Sequence, residues 1–517
     1  MQMVKNAASR FVPTRVNGEN VVPFQGVGQF RPSGRIAGRL KVSCADYPSD
    51  GNKVVPDIKS ALQRCGLQNG DTISTHHHFR DGDLIANQVF DCAAELGIKN
   101  LRWFPSAAFP CHAPLIKYLN SGVIHHIEGS MNGPLGDYCS QGKMHGTAVL
   151  RSHGGRWQAV QDGEVHIDIA VIVAPSADMF GNCNGAIGPS ACGPLGYAEA
   201  DAQFADKVIV VTDNLVPFPC HPWHIQGQLV DYVVIVDKVG LPEKIVSGTT
   251  EITKSPDRLR IAELAARFVE AAGILLDGFS FQTGAGGISL AFTSYLKEIM
   301  SRKKIKASFY LGGSNQLPVS MLEQGLIEKI IDIQAFDPQA VRSTRDNSNH
   351  IACGPFTTYN YHGKGNFNSL TDIVVLGATE VDVDFNANVV THSDGRLMHG
   401  IGGWQNCLFA KTTILAVPSF RDRIPVIVKK VTTLTGPSEL IDVVVTERGI
   451  CINPRRSDLR KAVQSSGLPL IDIHDLQQNI EKMCGGPPNA PKLGDKIVAV
   501  VKWVDGTALD SIYQVLP

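Results

Sequence analysis

Chemistry-bearing residues fall in a few short stretches. The first is Gln282-Thr283-Gly284-Ala285-Gly286-Gly287-Ile288, which follows a strand-like run at 275–281 and precedes a helix-like run at 289–300. Glycines in such a turn let backbone N–H groups approach an anion, or the oxyanion of an acyl transfer, at a helix N-terminus. A close-packed strand–helix turn with no ligand would read the same. The spacing is G-x-G-G, not G-x-G-x-x-G, and no P-loop lysine follows. Further glycine clusters are Gly395, Gly400, Gly402 and Gly403 ahead of Trp404, and Gly312-Gly313-Ser314-Asn315. The segment from Arg342 through Arg345 and Asn347 to His350 crowds guanidinium and amide donors near a helix end. Arginine forks bind carboxylates bidentately, as a polycarboxylate substrate requires, although a solvated charged loop has the same composition. His76, His77 and His78 stand side by side before Phe79-Arg80. Side chains alternate along a strand, so three adjacent imidazoles rarely converge on a structural metal. They are donors to a substrate or packed, hydrogen-bonded histidines. Pro-Cys-His occurs at 110–112 and again at 219–221, with nothing to bring the two together on a metal. No G-x-S-x-G elbow and no H-E-x-x-H is present.

The elements that must carry these stretches alternate between helix and strand. Runs at 208–211, 233–236, 373–376 and 443–445 are β-branched and nearly uninterrupted. Strands buried on both faces have that composition, so parallel sheets covered by helices are expected. After Asp257, which can cap a helix, Leu259, Ala262, Phe268, Val269 and Ala272 recur at helical spacing. The chain also repeats itself. Cys65-Gly66-Leu67 and Ala272-Gly273-Ile274 correspond, as do segments starting at Ser121 and Gln324, Asp168 and Asp372, Phe204 and Phe409, and Asp231 and Asp442. The offsets stay between 203 and 211 residues and the order is kept, which points to duplication. The polar, turn-rich segment 247–256 is the expected boundary. That divides the chain into an arm (1–50) and two α/β domains (51–250 and 251–517). Ligands in open α/β sheets sit beyond the carboxyl ends of the strands, so the active site is expected in the cleft between the domains.

Composition narrows the function classes. The 517 residues carry 48 Lys+Arg against 49 Asp+Glu, a net charge of −1, which offers no field for nucleic acid or an anionic membrane. No run of 18 apolar residues exists, and the N-terminus lacks the apolar stretch of a secretory signal. Twelve cysteines without C-x-x-C spacing suggest reduced, mostly buried thiols and a cytoplasmic protein. Residues 1–41 are basic through Lys5, Arg10, Arg15, Arg31, Arg35, Arg39 and Lys41 against Glu19 alone. Such an arm either wraps its own domain or grips another subunit.

Several longer motifs resemble one family. QTGAGGIS, AFDPQAVRSTRDNSNHI, EVDVDFNANVVTHSDGRLMHGIGG, RGICINPRRSDLR, STHHHFRDGD and FVPTRVNGENVVPFQGVG are similar to the citrate lyase alpha subunit, the citrate:acyl-carrier-protein transferase component of bacterial citrate lyase. The resemblance covers essentially the whole chain. It implies two tandem CoA-transferase-like α/β domains, in agreement with the duplication. It also implies thioester exchange, in which citrate replaces acetate on the thiol of a carrier protein, the gamma subunit, whose prosthetic group is a dephospho-CoA derivative. A beta subunit then cleaves the citryl thioester. No cofactor is implied as bound covalently to this chain, and an oligomer is expected.

Related CoA-transferases use a glutamate nucleophile ahead of the glycine cluster or in a Ser-Glu-Asn-Gly motif. Here the corresponding stretches, 388–395 and 312–315, contain no glutamate. The resemblance therefore favours direct attack of a citrate carboxylate on the thioester, through a mixed acetyl–citryl anhydride. The oxyanion is expected at Gly284, Gly286 and Gly287 or at Gly402 and Gly403. Arg345, Arg342, Asn347, His392, His399, His76, His77 and His78 are the candidate citrate ligands. Gly312, Gly313, Ser314 and Gly400 are candidates for the thioester arm, and no metal is expected. A covalent CoA-transferase or acyl-CoA hydrolase of the same fold is the first alternative, and a non-catalytic ligand sensor or scaffold the second.

Overall fold

The computed structural model describes residues 2–30, 50–246 and 251–517. In the first half, β1 (Val54–Val55), β2 (Thr72–Thr75), β3 (Leu101–Pro105), β4 (Ile124–Ile127), β5 (Ile169–Val173), β6 (Lys207–Thr212) and β7 (Tyr232–Ile235) form a seven-stranded sheet of order β1-β7-β6-β5-β2-β3-β4. Every neighbouring pair is parallel. The second half adds β8 (Phe279–Thr283), β9 (Ala307–Leu311), β10 (Ile327–Asp332), β11 (His350–Ala352), β12 (Ile373–Leu376), β13 (Thr413–Ala416), β14 (Val443–Thr446) and β15 (Gly449–Ile452). Their order is β11-β10-β9-β8-β12-β13-β14-β15, parallel except for the closing β14–β15 pair. Six strands correspond one to one. The run β4-β3-β2-β5-β6-β7 of the first sheet has the same order and chain sequence as β10-β9-β8-β12-β13-β14 of the second. The repeated segments of the sequence are thus a repeated sheet.

Burial explains the composition of the strands. All five residues of β5, IAVIV, and all four of β14, VVVT, are buried. A sheet covered on both faces leaves no polar side. Helices supply the cover: α1 (His153–Gln161), α2 (Ala198–Phe204), α3 (Pro256–Ala271), α4 (Gly287–Lys303) and α5 (Pro338–Asp346) carry the segments discussed below. Helix α3 buries Ile261, Leu264, Ala265, Phe268 and Val269.

Some local boundaries differ from the expected ones. Asp257 does not cap α3. Pro256, with its fixed φ and missing N–H, takes the first helical position after Ser255, and Asp257 lies in the first turn, where its charge suits the helix dipole. Strand β8 begins at Phe279 rather than 275, because Gly278 turns the chain at φ +83 and leaves Leu276 exposed. Helix α4 extends beyond 289–300 at both ends.

The ends of the chain meet. An antiparallel hairpin, Leu493–Lys502 with Ala508–Val515, pairs in parallel with Ala148–Leu150 of the first half. The N-terminal strands Met3–Lys5 and Phe11–Pro13 cover it, and Asn6 Nδ2 donates to the carbonyls of Ala508 and Leu509 at 3.0 and 2.7 Å. Val12, Val16, Val149, Val500 and Ala508 form a small core of their own. The described part of the arm therefore wraps its own chain. Arg31, Arg35, Arg39, Lys41 and Cys44 lie outside the described residues, as do residues 247–250 of the expected boundary. The final hairpin, numbered with the second domain, sits against the first. Among the described residues no two cysteines are joined in a disulfide, and no helix is long and apolar enough to cross a membrane.

Candidate active site

The loops that follow the strands of both sheets face one another. A cavity of about 390 Å³ lies between them, lined by His77 and Arg80 after β2, Phe109 after β3, Gly284 after β8, Gly313 after β9, Gln334 after β10 and the glycine segment 400–403. It sits beyond the carboxyl ends of strands from both repeats, where α/β sheets bind ligands. A second cavity of about 700 Å³ adjoins it. The two share Gly284, Ala285, Leu376, His399, Ile401 and Trp404, so the glycine loops form the partition between two compartments.

Backbone contacts bring these loops together. Gly400 packs flat on Ser130, and a Cβ there would lie 1.9 Å from the Ser130 Oγ. The Gly402 carbonyl accepts the His153 N–H at 2.9 Å. The amides of Gly402 and Gly403 donate to no protein acceptor among the described residues, whereas the Gly284 N–H is already bonded to the Val375 carbonyl at 3.0 Å. Gly312 needs its positive φ of +105, and a Cβ there would lie 2.4 Å from Gln282 Nε2.

Side chains from both repeats interlock across the first cavity. His77 stacks on Tyr197 and His153 with ring centroids 4.6 and 5.3 Å apart. The Tyr197 hydroxyl donates to Gln334 Oε1 at 3.2 Å, and Gln334 Nε2 donates to the His77 carbonyl at 3.1 Å. Ser106 Oγ accepts the His77 N–H at 3.0 Å and lies 2.6 Å from Nδ1. Donation of the Oγ–H to Nδ1 leaves the ring proton on Nε2. Burial, then the neighbouring His153, holds His77 well below the usual histidine range. Burial, with Arg156 adding to it, pushes His153 down to about 3. Both imidazoles are therefore neutral donors. The Cys407 thiol also lines the cavity, and burial raises it to about 12, so it stays protonated and weakly nucleophilic. Among the described residues that line this cavity there is no Asp, Glu or Lys.

The expected site residues divide into groups. His77, Gly284, Gly313, His399, Gly400, Gly402 and Gly403 line the first cavity. Gly286, Gly287 and His392 line the second, with His399 at both. His76 and His78 are buried beneath. His76 Nε2 pairs with Asp201 at 2.8 Å, and Asp201 also takes a bidentate fork from Arg156 at 2.7 and 2.6 Å. Both nitrogens of His78 are buried without a partner. Gly312 abuts Gln282, and Ser314 is buried on Asp332, 2.5 Å from its carboxylate. Arg342, Arg345 and Asn347 do not reach either cavity. They lie at the end of α5, where Arg342 pairs with Glu323 at 2.6 Å and Arg345 with Asp346 at 2.7 Å. Those guanidinium groups are paired with carboxylates at the surface, away from both cavities.

Arg80, His153, Tyr197, Gln334 and Tyr359 line the first cavity without having been singled out in the sequence. Arg80 adjoins the histidine run, which was a signal. The others stand in segments with no recognisable pattern. A metal could be held by His166, Asp168 and Asp206, whose ligand atoms lie within 4.8 Å of one another, but this exposed group lines neither of the two cavities. In the second cavity Arg421, partly buried, donates to the carbonyls of Thr379 and Ala378 at 2.9 and 2.8 Å, and Arg258 and Glu251 stand exposed at its edge.

Comparison with known proteins adds to this geometry. The sequence profile of the family "Citrate lyase, alpha subunit (CitF)" matches residues 51–515. The citrate lyase alpha chain of Klebsiella pneumoniae is 42% identical over 465 residues, spanning 90% of this chain and 91% of its own. That of Escherichia coli (strain K12) is 40% identical over 465 residues, spanning 90% and 91%. A crystal structure of an alpha subunit of citrate lyase in complex with citrate, from Streptococcus mutans, superposes with a TM-score of 0.90 at 40% identity, covering 96% of each chain. A Pseudomonas malonate decarboxylase hetero-tetramer in complex with malonate gives a TM-score of 0.59 at 18% identity, covering 84% of this chain and 86% of that one, a likeness of fold alone.

Proposed function

The chain belongs to the citrate lyase alpha subunit family, and we propose that it exchanges acetate for citrate on the thioester of an acyl carrier protein. The observation that carries this reading is a pair of compartments meeting at a glycine partition whose Gly402 and Gly403 amides are free to donate. The first compartment suits an acid, and the larger second one suits the thioester arm. Arg258 and Arg421, against Glu251, leave the edge of the second compartment net positive, appropriate to a phosphate-bearing prosthetic group of dephospho-CoA type.

In the forward step a citrate carboxylate oxygen attacks the acetyl carbonyl carbon. The Gly402 and Gly403 N–H groups stabilise the oxyanion, the C–S bond breaks, and a thiolate leaves with the electron pair. The thiolate then attacks the citryl carbonyl of the mixed anhydride, and acetate departs with the bridging oxygen. A carboxylate needs no general base, so the protein's work is juxtaposition and charge stabilisation. Neutral His77 and His153 supply N–H donors without titrating near neutral pH. The stacked rings of Tyr197, His77 and His153 crowd the cavity against water, which would hydrolyse the anhydride.

A glutamyl-thioester mechanism, as in a covalent CoA-transferase or hydrolase, needs a carboxylate at the partition. None lines the first cavity among the described residues, and Glu251 is exposed at the second. A ligand sensor would have no use for two joined compartments. The beta (citryl lyase) and gamma (carrier) subunits are the partners this reading implies, in an oligomeric cytoplasmic complex. The test is exchange of labelled acetate into acetyl-CoA by the purified chain, with intact-mass spectrometry during turnover. The reading expects exchange, its suppression by citrate, and no acyl mass on the protein. A stable acyl or pantetheinyl adduct would sink the direct mechanism.

A further inference from the structure

Among the described residues that line the first cavity one permanent charge stands, with no counter-ion beside it. Arg80 is the only arginine or lysine among its described lining residues, and no carboxylate lines it. The Arg80 Nη1 is buried without a hydrogen-bond partner. Its guanidinium carbon lies 5.6 Å from the Phe109 ring centroid and 5.1 Å from that of Phe336, a cation held between two aromatic faces. The nearest acids in the sequence are occupied elsewhere. Asp81 accepts the Cys111 N–H at 2.8 Å, and Asp83 pairs with His112 Nε2 at 2.9 Å. The backbone at Arg80 is in the left-handed region, at φ +52, which a side chain this large adopts only where its surroundings impose it.

We propose that Arg80 determines specificity by receiving a carboxylate of the incoming acid that does not react. This inference rests on the thioester-exchange reading and names what selects the acid. Several other polar groups of the cavity are committed: Gln282 Nε2 donates to Tyr359 at 2.7 Å, Asn132 Nδ2 to the Ala108 carbonyl at 2.8 Å, and Tyr197 to Gln334, while the glycine amides and imidazoles left to donate are uncharged. Arg80 is free, fork-shaped and always charged. A reacting carboxylate loses its charge on becoming an anhydride, whereas a spectator carboxylate keeps it throughout. A permanent cation therefore suits the spectator. Acetate has none, so the departing acid is released where citrate is held. An interaction equal in ground and transition states appears in KM rather than kcat.

The experiment compares the full-length wild-type chain with Arg80→Met and Arg80→Lys. Citrate and tricarballylate binding are measured by titration calorimetry without thioester, and exchange on acetyl-CoA is measured with citrate or acetate as acceptor. Loss of a buried charged pair weakens binding by about 100-fold or more, so the Kd for citrate and the citrate-to-acetate ratio of kcat/KM should both shift by that factor in Arg80→Met. Added guanidinium should restore part of the loss. Arg80→Lys, which keeps the charge but not the fork, should lose about ten-fold. Citrate affinity within about two-fold of wild type in a cooperatively melting Arg80→Met would overturn the proposal. If Arg80→Met does not fold, Arg80→Lys decides: unchanged affinity overturns it. A wild-type chain that binds citrate through Arg80 yet exchanges nothing would sink the exchange reading instead.

Discussion

Burial sets the charge state of the imidazoles facing the first cavity. His153 has a folded pKa of about 3 against an unfolded 6.5. Below pH 6.5 the unfolded chain takes up a proton that the folded chain refuses, so stability falls as pH drops from about 6.5 toward 3. Thermal melting followed from pH 7 to 4 should show a shallower decline for His153→Gln than for wild type, and identical slopes would contradict the assignment. His77 is shifted in the same direction, so neither group should contribute a titration to kcat/KM between pH 6 and 8. A pH–rate profile with a histidine-like limb in that interval, abolished by His77→Gln, would count against neutral donors. Arg342 and Arg345 make the complementary point. Their partners Glu323 and Asp346 satisfy them at the surface, and exposed pairs contribute about 0–1 kcal/mol. Arg345→Ala should leave both the melting temperature and the citrate KM close to wild type.

The turn between β8 and α4 is where adjacent glycines should behave differently. Gly286 has ordinary backbone angles, and a Cβ there would meet nothing within 4 Å. At Gly287 a Cβ would lie 2.9 Å from the Glu251 carbonyl oxygen and 3.2 Å from the Thr253 N. Gly287→Ala should therefore melt below wild type, and Gly286→Ala should melt with it. Gly286 lines the second cavity. If that compartment takes the thioester arm, the added methyl should raise the KM for acetyl-CoA several-fold and leave that for citrate alone. The reverse pattern would exchange the roles of the two compartments. The helix starts the sequence suggested in this region were near the mark. The cap expected at Asp257 and the strand start expected at 275 were not, because both depend on the local backbone: Pro256 takes the first helical position, and Gly278 delays β8.

Across the molecule, duplication builds the cleft and the chain ends fasten it. The final hairpin adds to Ala148–Leu150 and is covered by the N-terminal strands. Lys502 reaches the carboxylate of Glu164 at 2.9 Å, and Arg151 holds the same group at 3.0 Å. A chain ended after Gly486 would uncover Val149 and strip the arm of its support. It should aggregate or melt non-cooperatively, as read by light scattering and calorimetry. A truncated chain with a wild-type transition would show the hairpin to be dispensable.

The sequence by itself determined the repeat, the parallel sheets and the glycine turns, since β-branched runs, constant offsets and backbone-permissive residues are local properties written along the chain. The family motifs carried the chemistry as far as its class. Tertiary structure alone decided which donors are free. Arg342 and Arg80 are the same residue type in donor-rich stretches, yet one meets Glu323 and the other meets two aromatic rings in a cavity without acids among its described lining residues. Counter-ions, burial and the facing of two sheets depend on which segments pack against one another, and no spacing along one strand or helix encodes them.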